Sequence, residues 1–204
     1  MSVTIRRARP DDVEFLVALT SHDDVDPFLS ARRATSRDEL LEEIERSSVD
    51  PDDFGRFVIE VDGERAGAMG FAVSNKRSRV ARLGGLAIHP DFRGGRISDE
   101  AARLFQRHLV HELGYHRLEL EIYGFNERAM QHAERSGFVR EGVKRKAYRR
   151  HGEWVDGVLY GLIEEDLAGE HGALQPLEKE QRGEEKIRHR REEEREEPER
   201  HDAG

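Results

Sequence analysis

"IHPDFRGGRISDEAARLF", residues 88–105, decides how the rest of the chain is read. A strand stops at Pro90, and Arg93, Gly94, Gly95 and Arg96 lead directly into an amphipathic helix. The first N–H groups of a helix have no intrahelical partner, and the aligned peptide dipoles add partial positive charge there. Glycine lets an anion approach the backbone because no Cβ stands in the way. Arginine adds a planar fork of donors that suits phosphate. Two readings follow: a phosphate cradle, or a glycine turn that caps a helix beside two surface arginines. A Walker loop is excluded, because no Gly-Lys-Ser/Thr follows, and the dinucleotide fingerprint fails in its spacing.

Upstream, the strand Arg79–Ile88 carries Gly84-Gly85 in its middle, where glycine weakens a strand unless it marks a bulge or the close approach of a ligand. An extended ligand could then lie along that edge with its phosphate end in the loop; a bulge that only twists the sheet is the alternative. Downstream, the helix from Ile97 to about Leu113 places Ala101, Leu104, Phe105, Leu109 and Leu113 on one side. "RLELEIY", residues 117–123, alternates as a strand, with Leu118, Leu120 and Ile122 on one face and Glu119, Glu121 and Tyr123 on the other. Asn126 caps a short helix to about Ser136, closed by Gly137.

The remaining elements fit around these. Val3–Ile5 reads as a strand and Pro10–Leu19 as a helix, and Ser36 with Glu39 forms a capping box for a second helix to about Arg46. Phe57–Val61 and Arg65–Val73 flank the hairpin signal Asp62-Gly63. Two last strands, Phe138–Arg149 and Trp154–Leu162, flank a turn at His151-Gly152. The fold class is α/β, a mixed and mostly antiparallel sheet flanked by helices.

The 204 residues carry no cysteine and a formal charge of −9. Disulfides, thiolate metal sites and a cysteine nucleophile are thereby excluded, and general nucleic-acid binding is disfavoured. No apolar run reaches the roughly 20 residues of a membrane span, and the first residues lack a signal-peptide core. The expectation is a cytoplasmic protein with neither a membrane nor a nucleic-acid partner. Residues 169–204 hold twelve acidic and eight basic side chains and only five apolar ones. Such a stretch buries too little apolar area to offset its ordering entropy. The expected organisation is one domain over 1–168 and a charged, solvated tail over 169–204.

"LAIHPDFRGGRISDEAARL" resembles the acetyl-CoA-binding motif of the GCN5-related N-acetyltransferase (GNAT) superfamily. "NERAMQHAERSGFVREG" resembles that family's Asn-led helix and Gly-Phe strand start. "RRHGEWVDGVLYGL" looks like the last hairpin of the branch with ribosomal-protein N-terminal and polyamine acetyltransferases. The resemblance implies a GNAT-like fold over about Val3–Leu167 and transfer of an acetyl group from acetyl-CoA to a primary amine by direct attack, with no metal. It implies that Leu86, Ala87 and Ile88 offer backbone groups to the pantetheine arm and thioester. Arg93, Gly94, Gly95, Arg96, Ile97 and Ser98 would hold the pyrophosphate, Asn126 the pantetheine region, and Arg128 the coenzyme phosphates.

Three positions depart from the family pattern. Arg96 and Ser98 stand where the family carries small residues; Arg96 is expected in helical geometry, donating its N–H as glycine would. Ala133 stands where many members carry a Tyr that protonates the leaving thiolate, and helical spacing turns His132 and Ser136 away from its direction. A proton acceptor for the amine is sought on Arg117–Tyr123, where Glu121 is the candidate and pairing with neighbouring basic residues the alternative. The acceptor pocket is expected between His22–Arg33 and Tyr148–Trp154, with Trp154 as a wall or as packing. A non-catalytic CoA-binding or protein-interaction domain of the same fold is the competing reading, and the acceptor's identity and the oligomeric state, a homodimer included, stay open.

Overall fold

A computed structural model describes residues 1–29, 34, 36–94, 96–150 and 152–168. The tail 169–204 lies outside the described residues, so the expected boundary stays a proposal. Seven strands form one sheet: β1 (Val3–Arg7), β2 (Phe54–Val61), β3 (Glu64–Asn75), β4 (Val80–Ile88), β5 (Arg117–Tyr123), β6 (Val139–Arg150) and β7 (Glu153–Ile163). Their order is β1-β2-β3-β4-β5-β7-β6, and the β4–β5 pair is the parallel one, as expected for a mixed, mostly antiparallel sheet. The helices are α1 (Val13–Thr20), α2 (Arg37–Val49), α3 (Ile97–Arg107), α4 (Glu127–Arg135) and α5 (Glu164–Ala168). None of the described helices is long and apolar enough to cross a membrane.

Local chemistry explains the boundaries. Asp62 and Gly63 both take positive φ, 51° and 87°, in a two-residue turn whose twist matches the flanking strands. Ser36 Oγ accepts from the Glu39 N–H at 3.2 Å while Glu39 Oε2 accepts from the Ser36 N–H at 3.0 Å, which closes the capping box of α2. The helix expected to run through Leu113 ends its regular part at Arg107 and continues as a π turn over His108–Glu112.

The sheet separates two apolar clusters. Leu16, Leu19, Leu40 and Ile44 of α1 and α2 pack against Val58, Ala68 and Ala87 on one face. On the other, Ile97, Ala101 and Phe105 of α3 and Ala133 of α4 pack against Phe57, Ile59, Leu118, Val158 and Tyr160. The side chains of Arg117, Glu119, Glu121 and Tyr123 alternate with the buried Leu118, so they lie on the α1–α2 face of β5. There they form, with Glu141, Lys144 and Tyr148 of β6, a polar floor beyond the edge of the helical cover.

Three polar residues, Asp12, Ser47 and Gln106, are buried away from this floor, and Asp12 is the charged one. Asp12, 1% exposed, accepts from Arg6 at 2.7 and 3.0 Å, from Arg65 Nε at 2.7 Å and from the Arg9 N–H at 2.8 Å. Burial alone would raise its pKa, but these donors outweigh it and bring the value down to about 2. A folded value of about 2 against an ordinary 3.8 corresponds to about 2 kcal/mol of stability. That contribution is complete above the ordinary value and is lost as pH falls through the folded one. Asp12→Asn should lower the unfolding free energy at neutral pH by about 3 kcal/mol, seen as a lower urea midpoint at unchanged slope. The gap to the wild type should close as pH approaches 2; a gap independent of pH would contradict the assignment.

Candidate active site

β4 and β5 pair only at Val80–Arg117, Ala81–Leu118 and Arg82–Glu119. Past these positions no register pair joins them among the described residues, so the strands splay apart toward their C-terminal ends. The cause lies in the glycine pair. Ala68 pairs with Ala87 and Gly70 with Gly84, which leaves Gly85 and Leu86 opposite the single residue Met69. Gly85 has φ +67°, and Gly84, Gly85 and Leu86 are all exposed. This is a bulge, and it turns backbone groups out of the ladder toward the splay.

The ladder also sorts the three residues expected to offer their backbone. The His89 N–H bonds the Ala66 carbonyl, so Gly67 and Ile88 form a non-hydrogen-bonded pair and Ala68 and Ala87 a bonded one. Leu86 in the bulge and Ile88 face the open side. Ala87 is corrected: its backbone is committed to β3, and its side chain is buried under α1 and α2.

Between β4 and α3 runs the loop of residues 89–96. Gly94 takes φ +104°, and a Cβ placed there meets nothing within 4 Å, so the space before it is open. Arg96 is the N-cap of α3 at φ 57°, ψ 15°. This corrects the helical geometry expected of Arg96: the helix starts at Ile97, as expected, and Arg96 is its left-handed cap. A left-handed residue followed by helical ones points successive N–H groups into one concavity. The Asp99 and Glu100 N–H groups bond back to the Arg96 carbonyl. Those of Gly94, Arg96, Ile97 and Ser98 have no partner among the described residues, and they converge on the positive end of α3. Left-handed backbone costs a non-glycine residue about 1–2 kcal/mol, partly offset by the greater freedom that glycine brings to the unfolded chain. Arg96→Gly should therefore raise the melting temperature by roughly 1–3 °C; a lower one would show that the arginine side chain stabilises the fold.

Arg93 departs from its expected role. Its guanidinium is held by Asp24, with Nη1 3.2 Å from Oδ2 and Nη2 3.2 Å from the Asp24 carbonyl, and its own N–H bonds the Pro90 carbonyl. It ties this loop to the turn after α1. Gly95 lies outside the described residues. Asn126 Oδ1 accepts the Ala129 N–H at 3.1 Å and so caps α4. Arg128 is exposed and ion-pairs with no described residue.

Ala133 is buried, and Met130 on the same side of α4 is partly buried against the core. His132 faces the first turn of α3, its Nε2 3.3 Å from Asp99 Oδ1. Burial is the main reason its pKa lies below the ordinary value, against the raising effect of a bond to the Ser98 backbone. His132 thus points away from the direction of its neighbour Ala133, as the helical spacing implied.

On the polar floor, Glu121 Oε1 accepts from the Tyr148 hydroxyl at 2.5 Å and Oε2 from Lys144 Nζ at 2.9 Å. Burial raises its pKa, but the tyrosine and lysine outweigh this and hold it below the ordinary carboxylate value. Burial and the facing carboxylate together push the Tyr148 phenol up to about 12, so it stays protonated and donates. Glu119 is held by Arg117 and by Ser74 Oγ. Lys144 and Tyr148 were not legible as partners of Glu121, because a register shift between them sets which side chains of β6 reach β5. Trp154 is 63% exposed, which rules out a packing role. Residues 30–33 and His151, part of the expected acceptor lining, lie outside the described residues.

The family model for the acetyltransferase (GNAT) domain matches residues 2–139. An uncharacterized N-acetyltransferase from an SPbeta prophage of Bacillus subtilis is 27% identical over 177 residues, 84% of this chain and 95% of the relative. A spermidine N-acetyltransferase from Vibrio cholerae, solved with CoA and spermine, superposes with a TM-score of 0.73 at 21% identity, over 81% of this chain and 98% of that one. A ribosomal L7/L12 alpha-N-protein acetyltransferase solved with coenzyme A gives 0.71 at 19% identity, over 80% and 94%. The last two establish a common fold.

Proposed function

Because the chain belongs to the acetyltransferase (GNAT) family and is an acyl-CoA-dependent N-acetyltransferase, we propose that it binds acetyl-CoA in the β4–β5 splay and passes the acetyl group to a primary amine. The observation that carries this reading is the set of N–H groups at Gly94, Arg96, Ile97 and Ser98 with no partner among the described residues, on the loop that follows the exposed bulge at Gly85-Leu86. The amide nest suits a pyrophosphate, and the outward backbone of Leu86 and Ile88 suits the amides of a pantetheine arm added as an extra strand. Asn126 would face that arm from α4, and Arg128 supplies the exposed cation for the phosphates.

In the transfer, the amine nitrogen bonds to the acetyl carbon, the carbon–sulfur bond breaks, and CoA leaves with the sulfur. An ammonium cannot attack, so a proton must first leave the nitrogen. Glu121 is the carboxylate on the floor, ionised throughout the neutral range, that receives or relays it. Loss of the usual tyrosine at Ala133 is tolerable, since a thiol of pKa about 8.5 departs as the thiolate and general-acid help is worth about 10²–10⁴-fold. Primary amines as a class, polyamines and protein N-termini included, fall within this reading, which does not by itself choose among them. Isothermal titration with acetyl-CoA tests it: one saturable site per chain is expected, and no heat of binding at any concentration would overturn it.

A further inference from the structure

The open end of the floor is aromatic. The rings of Tyr123 and Phe125 stack with centroids 5.5 Å apart, Phe28 lies 6.2 Å from Phe125, and Tyr148 meets Tyr123 edge-on at 5.3 Å. Phe28 and Phe125 are large, apolar and still 49% and 41% exposed. Singly, an exposed ring needs no explanation, but two facing each other at the mouth of a site form an apolar wall. Aromatic walls commonly hold cations, yet here that seat is taken: the Arg150 guanidinium lies 5.3 Å from the Tyr123 centroid and donates to the Pro27 carbonyl at 3.0 Å.

The charges around this wall point the same way. Lys144 and Arg150 of β6 and Arg82 of β4 are basic groups on this side. Among the carboxylates, Glu121 is shared by Lys144 and Tyr148, Glu119 is held by Arg117, and Asp24 by Arg93. Asp23 and Asp26 stand on the same turn as Asp24. A first ammonium can reach Glu121; a second, further along the wall, would meet Arg150. Resting on the catalytic reading above, we propose that the acceptor site selects a primary amine with one positive charge and an apolar, preferably aromatic, body, and discriminates against polyamines. Glu121 and Tyr123 are two residues apart on one face of β5, so an ammonium at the first stands beside the aromatic wall that begins at the second.

Titrating the CoA-saturated protein with phenethylamine and with spermidine tests this without turnover. Phenethylamine should bind at least about tenfold more tightly, the scale on which a buried apolar group discriminates. Phe125→Ala and Phe28→Ala should each weaken phenethylamine several-fold and leave spermidine within about twofold, while a retained melting shift with acetyl-CoA shows that the variants are folded. Equal or tighter spermidine binding, no binding of either amine, or unchanged phenethylamine affinity in both variants would overturn the proposal. Acetylation is scored separately: phenethylamine bound but never acetylated keeps this inference and fails the catalytic reading, and acetylation of spermidine alone does the reverse.

Discussion

Gly94→Glu should abolish the rise in melting temperature that acetyl-CoA gives the wild-type protein. A ligand of the native state stabilises it in proportion to ln(1 + [L]/Kd), so at a hundredfold excess over Kd the wild type should gain about 2.7 kcal/mol. The variant places a Cβ at a residue with φ +104° and a carboxylate in the open space before it. The side chain is strained by the backbone and repelled by the pyrophosphate, and it competes for the same amides. A loss of more than about 100-fold in affinity is expected from one uncompensated charge placed beside an anion. Gly94→Ala separates the causes, because it keeps the backbone strain without the charge and should bind with an intermediate affinity. An undiminished shift in the glutamate variant would remove the loop from the coenzyme site.

The second large effect is expected at Glu121. Glu121→Gln keeps the shape and removes the charge, and should lower kcat/KM by roughly 10- to 10³-fold with acetyl-CoA affinity unchanged. The loss should grow as pH falls. Below the pKa of the amine, the fraction of acceptor already deprotonated in solution drops tenfold per unit. A carboxylate in the site stays ionised there, because Tyr148 and Lys144 hold its pKa below the ordinary value, and it can still bind the ammonium and relay its proton to solvent. The glutamine variant has no such group and must wait for free amine. A variant whose pH–rate profile parallels the wild type would take Glu121 out of the proton path and leave a water relay or self-deprotonation of the substrate.

Much of the fold was legible because its signals are local. The capping box at Ser36-Glu39, the Asp62-Gly63 turn and the alternation of Arg117–Tyr123 each need only a few neighbouring residues, and all three stand where the pattern puts them. The bulge at Gly84-Gly85 was legible for the same reason: glycine in mid-strand has few other uses. What the pattern hides is long-range or conformational. The commitment of Arg93 to Asp24 joins residues 69 apart in the chain. The pairing of Glu121 with Lys144 and Tyr148 depends on a register shift in β6. The left-handed Arg96 is a property of the cap's backbone, which a non-glycine residue does not announce in the sequence. One alternation commits the backbone of Ala87 to β3 and leaves that of Leu86 and Ile88 open, and the register that decides this is not written in the motif.

Mass spectrometry of the acceptor after incubation with the protein and acetyl-CoA tests the central claim most directly. The expected result is one acetyl group added to the nitrogen of a primary amine, matched mole for mole by free CoA thiol, and strongly reduced with the Gly94→Glu protein. Tight acetyl-CoA binding with no acetylated product from any amine, peptide N-terminus or arylethylamine would contradict it, and would leave a coenzyme-binding domain that does not catalyse transfer.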